Sequence, residues 1–224
     1  MIFIIFFAAT VPRSSSASTT QPALSKKEAT HERILEVASR ALRRHGLDGV
    51  GVADVMKEAG LTHGGFYAHF ESREALLAEA LARVRRDMAA VIARRVAQQR
   101  AGQRSAFRVL IESYLASANL SAFETACPVA ALGSELARCT QPGPQRSDTL
   151  QTAARDLATD LIGGVRKALP EAVPATAAPV IASTLVGALQ LARMLADQPK
   201  EAEAVLASAR SALLNQYDVP ACGN

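Results

Sequence analysis

Gly60-Leu61-Thr62-His63-Gly64-Gly65-Phe66-Tyr67-Ala68-His69-Phe70 is the stretch whose reading decides the fold. Just before it, Val52, Val55, Met56 and Ala59 recur at helical spacing, which predicts a short amphipathic helix. Gly60 ends that helix where a left-handed residue is wanted. Leu61 is an apolar plug in the turn. Thr62 is placed to cap the next helix by accepting a free backbone N–H. Helix, tight glycine turn and short second helix make a helix-turn-helix, and the second helix of that motif belongs in a DNA major groove.

Phe66 and Phe70, four apart, point inward. Thr62, His63, Gly65, Tyr67 and His69 are left for the outside. An ordinary surface helix carries Lys and Glu there. This one carries hydrogen-bonding groups, and its two glycines let backbone approach another molecule closely. The same spacing also fits a small helical hairpin weakened by glycine.

These residues carry a resemblance. The run from Arg33 to Leu81 resembles the N-terminal domain of the TetR/AcrR family of bacterial transcriptional regulators. The matching pieces are Ile34-Leu35-Glu36-Val37-Ala38, His45-Gly46-Leu47, Val52-Ala53-Asp54-Val55, Glu58-Ala59-Gly60, Phe66-Tyr67-Ala68-His69-Phe70 and Ser72-Arg73-Glu74-Ala75-Leu76-Leu77. The resemblance implies an all-α protein: a three-helix helix-turn-helix domain, then a helical ligand-binding and dimerisation domain. It implies a homodimer on double-stranded operator DNA that responds to an unidentified small-molecule inducer. Mapped onto this chain, the DNA-binding set is Lys27, Gly51, Thr62, His63, Gly64, Gly65, Tyr67, His69 and Arg73. Three positions depart from the family pattern. Gly51 stands where Thr or Ser usually opens the first motif helix, Ala53 where a basic residue often follows, and His63 where Lys usually starts the recognition helix. Each departure removes a phosphate contact.

Composition agrees with an all-helical fold. The chain has 224 residues, 49% of them apolar and only 4% aromatic, with no tryptophan. Alanine and leucine dominate, with little β-branched alternation. The net charge of +4 is uneven. Residues 26–100 carry 14 Lys/Arg against 10 Asp/Glu, residues 101–224 carry 10 against 11, and Arg13 supplies the remaining charge. A basic head on a near-neutral body suits DNA binding joined to ligand binding or dimerisation. Enzyme chemistry finds little support: no Gly-rich phosphate loop, no metal-ligand cluster and no Ser/His/Asp signature is legible, and no cofactor or metal is expected.

The expected division is 1–24 as an N-terminal extension, 25–72 as the DNA-binding domain, 73–218 as the ligand and dimer domain, and 219–224 as a tail. Met1 to Ala9 is a short apolar run without a basic flank, too short to span a bilayer. Val11 to Ala23 is rich in Ser, Thr and Pro and reads as disordered. A start codon placed too far upstream, or an apolar tail with no packing partner, is the expected explanation; a membrane tether is the sharper alternative. Cys127, Cys139 and Cys222 match neither a zinc spacing nor a disulfide framework, and suit a reducing cytoplasm.

Along the chain, Ser25-Lys26-Lys27-Glu28 reads as a capping box opening a helix that ends at Gly46. Its buried stripe is Ile34, Leu35, Ala38, Ala41 and Leu42, and Lys26, Lys27 and Arg33 near its start can reach phosphates. Ser72 caps a long helix to about Arg100, with Leu76, Leu77, Ala80, Leu81, Val84, Met88, Val91 and Ile92 facing inward. Arg73 is read either as a phosphate clamp or as a solvated surface residue. By resemblance this long helix is the lever whose tilt an inducer changes.

In the body, Phe107, Leu110, Ile111, Tyr114, Leu115 and Ala118 make an apolar stripe, with Phe107, Ile111, Tyr114 and Cys127 as candidate ligand contacts. Tyr114 either lines a cavity or is a core tyrosine with a satisfied hydroxyl. Pro128 fits a first helical position, which puts Cys127 at an N-cap where the helix dipole favours a thiolate. A thiol-reactive sensor, with DNA binding secondary, is the alternative function; a small buried apolar residue is the plainer reading of Cys127. After a break at Gln141-Pro142-Gly143-Pro144, helices are expected to about Leu169, over Val180 to Ala196 and over Lys200 to Tyr217, with a loop from Pro170 to Pro179. The resemblance pairs the last two across a two-fold axis, with Leu185, Ala188, Leu189, Ala192, Leu206 and Leu213 as candidate dimer contacts. No membrane partner is expected.

Overall fold

The computed structural model describes residues 25–100, 105–123, 127–139, 141 and 147–218, with the backbone path alone for 92–100. The apolar run at 1–9, the Ser/Thr/Pro segment after it, Ile92's side chain, the break at 142–144 and the tail with Cys222 lie outside the described residues. Every regular element among the described residues is helical.

The head is built from α1 (Lys26–His45), α2 (Val52–Glu58) and a single 3₁₀ turn, His63–Ala68. α1 starts as its sequence requires: Ser25 accepts the Glu28 N–H at 3.2 Å, and the Glu28 carboxylate accepts the Ser25 N–H at 2.8 Å. Such a box satisfies two backbone N–H groups that the first helical turn would leave open. α2 ends in a left-handed Gly60 at φ 72°. The Leu61 N–H reaches the Met56 carbonyl at 2.8 Å, and the Gly60 N–H reaches the Lys57 carbonyl at 3.0 Å. This pair closes the orphan carbonyls of the helix end, and it sets the angle at which the next turn leaves.

α3 (Arg73–Arg100) runs from head to body, opened by Ser72 accepting the Ala75 N–H at 3.1 Å. α4 (Ala106–Tyr114), α5 (Pro128–Cys139), α6 (Asp148–Ala168), α7 (Ala178–Met194) and α8 (Pro199–Tyr217) complete the body. α4 stops at Tyr114, so Ala118 falls in a separate exposed 3₁₀ turn rather than on the α4 stripe. α7 begins two residues earlier than expected, because Pro179 is tolerated in a first helical turn.

Two apolar clusters organise the packing. The first joins Ile34, Leu35, Leu42, Val55, Met56, Phe66 and Phe70 of the head to Leu76, Leu77 and Leu81 of α3, and continues into Leu132 and Leu136 of α5 and Leu157 of α6. The second holds Phe107, Ile111, Leu115, Val165, Ile181, Leu185, Leu189 and Leu206. Val129 touches both. Ion pairs brace the long helix on either side. Arg83 meets Glu32 of α1 at 2.6 Å, and Arg85 meets Asp156 and Asp160 of α6 at 2.6 and 2.8 Å.

Leu185, Ala188, Leu189, Ala192, Leu206 and Leu213 are all buried within the single chain. They are core residues, and the dimer contacts expected of them are corrected here: apolar side chains already enclosed by their own chain have no surface to offer a second copy. Thr184 and Leu191 lie on the outer side of the same helix, where Val180, Leu191 and Met194 are 58%, 56% and 79% exposed. Ala175–Met194 is long and apolar enough to cross a membrane by length and composition, but its inner side is packed in the second cluster.

Candidate nucleic-acid interface

The recognition turn is held from below by stacked rings. Phe66 and Phe70 are 2% and 3% exposed, with centroids 5.6 Å apart, and His31 of α1 stacks on Phe70 at 4.6 Å. Against this floor Thr62, His63, Gly64 and Tyr67 face solvent, Tyr67 at 72% exposure and edge-on to Phe66. Lys27, in the first turn of α1, is exposed on the same side as His69, whose imidazole feels its charge.

Three expectations need correction or refinement. Thr62 occupies the N-cap position in extended conformation, but its side chain makes no capping bond; the Gly65 N–H reaches the Thr62 backbone carbonyl at 3.0 Å instead. This follows from the tight 3₁₀ geometry, in which bonds close three residues apart. His69 is only partly outward. Its Nδ1 is buried without a partner and its ring lies 5.9 Å from that of His31. Burial first, then the charges of His31 and Lys27, hold its pKa below the ordinary histidine value.

Arg73 does not reach outward as a clamp or a solvated side chain. Its Nε donates to the Val50 carbonyl at 3.1 Å and its Nη2 to the Leu47 carbonyl, so the guanidinium bolts the loop between α1 and α2. Gly51 opens α2 in extended conformation with no side-chain cap, and Asp54 sits in the first turn beside it.

At Gly64 an added Cβ would meet nothing within 4 Å, and at Gly65 the nearest atom would be Met56 Cε at 3.6 Å. Among the described residues nothing requires glycine at either place.

The interface is tied to the body by one contact that the sequence did not disclose. Glu135 of α5 accepts the Leu47 N–H at 2.6 Å. Gly46, at φ 74°, lies so close that a Cβ there would come within 2.5 Å of the same carboxylate.

In the body, Phe107 and Ile111 are fully buried, and the Tyr114 hydroxyl is buried beside the Cys127 thiol, with burial raising its pKa well above the ordinary tyrosine value. Cys127 does precede α5, but burial raises its thiol pKa above the ordinary value. The opposing influences, from Tyr114, the Ala130 and Val129 N–H groups and Arg193, do not overcome it. The lowered pKa expected from the helix dipole is therefore corrected: in an apolar core the cost of desolvating a thiolate outweighs a half-charge dipole. Arg193, the one charged residue of α7, was a legible signal that periodicity passed over.

Comparisons with known proteins agree with this geometry. Residues 34–80 match the family model for bacterial regulatory proteins of the tetR family. An uncharacterised HTH-type transcriptional regulator of Bacillus subtilis, YvdT, is 38% identical over 47 residues, a match spanning 21% of this chain and 24% of that relative. The whole body is matched by fold alone. The reduced form of Escherichia coli NemR superposes with a TM-score of 0.65 at 21% identity, covering 86% of this chain and 99% of that one. A TetR transcriptional regulator from Legionella pneumophila gives 0.64 at 19% identity, covering 88% and 100%. Proteins of this family regulate transcription and are not enzymes. Residues 34–80 thus form a helix-turn-helix head of the tetR type, and the helical body behind it shares the fold of solved TetR-family regulators.

Proposed function

We propose that this chain is a homodimeric, ligand-responsive repressor that binds a palindromic operator in the cytoplasm. The observation that carries the reading is the exposed recognition turn on its aromatic floor. Tyr67 stands out at 72% exposure beside two glycines that no contact among the described residues demands. Backbone with no side chain can lie against a phosphate or base edge.

In this reading residues 25–72 are the DNA-binding domain and 73–218 the ligand and dimer domain. Lys27, Thr62, His63, Gly64, Gly65 and Tyr67 approach the DNA, with His69 supporting them from its half-buried place. Gly51 brings the α2 N-terminus toward a phosphate through its free N–H groups. The dimer face is the outer side of α7, where Val180, Thr184, Gly187, Leu191 and Met194 fall at alternating spacings of four and three. Beside it α8 presents the small residues Ala204, Ser208 and Ala212. Small residues let helices of two copies approach closely, as a two-fold bundle needs. A small, largely apolar molecule bound in the body lowers operator affinity by favouring a second arrangement of α3 and α5.

The test is a gel shift on DNA from just upstream of the protein's own gene, repeated across a salt series, with the oligomeric state followed by sedimentation. A dimer whose affinity falls steeply with salt is the expected result, because each neutralised phosphate releases counterions. A monomer, or no shift at low salt, would overturn the reading.

A further inference from the structure

Beneath the recognition turn two histidines lie side by side in unequal surroundings. The His31 and His69 rings are 5.9 Å apart. His31 is fixed on two sides: it stacks on Phe70 at 4.6 Å, and its Nε2 meets the Glu79 carboxylate of α3 at 2.8 Å. A carboxylate only accepts, so that nitrogen carries its hydrogen toward Glu79. His69 has no such support. Its backbone N–H closes the turn on the Phe66 carbonyl at 2.9 Å, and its Nδ1 is enclosed without a partner among the described residues.

The charges around His69 come from several elements. From α1 it faces Lys27 and His31, and Glu79 of α3 is taken by His31. α2, which also packs on the turn, carries Asp54, Lys57 and Glu58. Glu58 is held by Arg40 at 3.3 Å, and Asp54 lies beside Gly51. Within the turn His63 and Tyr67 are exposed, as is Glu71 two residues beyond His69.

A neutral imidazole can leave Nδ1 bare, whereas an imidazolium carries an N–H on both nitrogens. In the free chain that second N–H would be enclosed without an acceptor, beside an ammonium and another imidazole. The free chain therefore resists the imidazolium, in keeping with the lowered pKa of His69. DNA reverses the balance. A duplex carries about one negative charge per 1.7 Å of its axis, and a surface charge is felt over about 8 Å at physiological salt. His69 closes the turn that presents Tyr67, so docking of this turn brings phosphates within that reach. Negative charge close by favours the imidazolium, and a phosphate oxygen accepts from a charged ring N–H.

We propose that His69 takes up one proton from solvent when the head docks on DNA, which makes the proton a co-ligand of the operator complex. This rests on the reading of the turn as the DNA-binding surface. One proton is gained by the imidazole ring and no other bond changes. The complex then holds more protons than the free chain, so operator affinity rises as pH falls, and by reciprocity DNA raises the affinity of His69 for its proton.

The experiment titrates the full chain into rhodamine-labelled DNA from just upstream of its own gene, followed by fluorescence anisotropy at fixed salt from pH 6 to pH 8. Wild-type affinity is expected to be at least about fivefold higher at pH 6 than at pH 8, a coupling of ordinary size. His69→Asn should cut that change to about twofold or less, and His63→Asn should keep most of it. The His69 ring resonances of the wild-type protein at pH 6.5, the ordinary histidine value, keep the test readable if His69→Asn does not fold. They should report a ring mostly neutral in the free chain and mostly imidazolium in the complex.

An affinity that does not change with pH overturns the proposal and leaves the DNA-binding reading standing. A pH dependence that survives His69→Asn, or is lost in His63→Asn instead, overturns it too, as does a His69 ring that stays neutral in the complex. Absence of a complex at every pH would remove the DNA-binding reading and the proposal with it.

Discussion

Glu135 accepts the backbone N–H of Leu47 at 2.6 Å, although 88 residues separate them. The contact joins the body to the DNA-binding head at the loop that sets α2 relative to α1. Arg73 grips the carbonyl of the same Leu47 from the other side. The loop is therefore held between a carboxylate on α5 and a guanidinium on α3, the two helices that lead back into the body. Glu135 stands two turns along α5 from Cys127.

Glu135→Ala leaves the Leu47 N–H without its acceptor. A hydrogen bond to a charged group contributes about 1.5–3 kcal/mol, and this one is half-buried, so a loss of about 1–2 kcal/mol is expected in denaturant melts. Glu135→Gln retains an acceptor oxygen and should recover most of it. If both variants melt as wild type does, the contact does not hold the loop.

Gly46→Ala tests the same junction from the other side. The position is at φ 74° and a Cβ would press on the Glu135 carboxylate at 2.5 Å. With ψ at −177° this positive-φ backbone is one that only glycine adopts readily, and it alone costs alanine about 1–3 kcal/mol; the clash adds to it. In a Glu135→Ala background only the backbone part should remain. A double-mutant cycle should therefore show coupling of at least about 0.5 kcal/mol, and strict additivity would count against the proximity.

The local parts of this fold were legible because their causes are local. The Ser25–Glu28 box and the Gly60 helix stop need only residues within five positions of one another, and so do the stacked Phe66 and Phe70. The long-range parts were not. Nothing in the run around Glu135 says that it faces Leu47, and Arg73 looks like a surface residue until the loop it bolts is folded beneath it. α7 is apolar on most of its circumference, so periodicity could not tell the side facing its own core (Leu185, Leu189, Ala192) from the side facing outward (Val180, Leu191, Met194). The exposure of the folded chain decides it. In the interface the sequence placed Thr62, His63 and Tyr67 on the exposed side, where they are, but missed that Gly65 is half-covered and that His69 turns half inward onto His31.

Arg73→Ala separates a bolt from a phosphate clamp. Loss of hydrogen bonds to two half-buried carbonyls should cost about 1–3 kcal/mol of stability. The salt dependence of operator binding should keep its slope. A clamp would instead lower the slope by about 0.9 for each lost phosphate contact.

His69 makes stability depend on pH with a definite sign. Its folded pKa lies below the ordinary value because burial and the charges of His31 and Lys27 disfavour the imidazolium. The unfolded chain therefore binds a proton where the folded chain resists it. The contribution of His69 is intact above about pH 6.5, the unfolded histidine value, and is lost as pH falls through the folded one. The Tm advantage of wild type over His69→Gln should accordingly shrink between about pH 7.5 and about pH 5.5. A constant gap across that range would show that His69 does not titrate between the two states.

Tyr67 offers the cleanest test of the interface, because its roles in folding and in recognition separate. At 72% exposure its ring adds little to the core, and its edge-on contact with Phe66 is retained only in part by any substitute. Tyr67→Ala should change stability by no more than about 0.5 kcal/mol, as surface substitutions usually do. Operator binding should weaken by at least about 1 kcal/mol, roughly fivefold, from the loss of one contact. Tyr67→Phe then divides that loss: full weakening assigns it to the hydroxyl, and wild-type affinity assigns it to the ring. A Tyr67→Ala protein that folds normally and holds its operator as tightly as wild type would mean that the DNA lies against another face of the head.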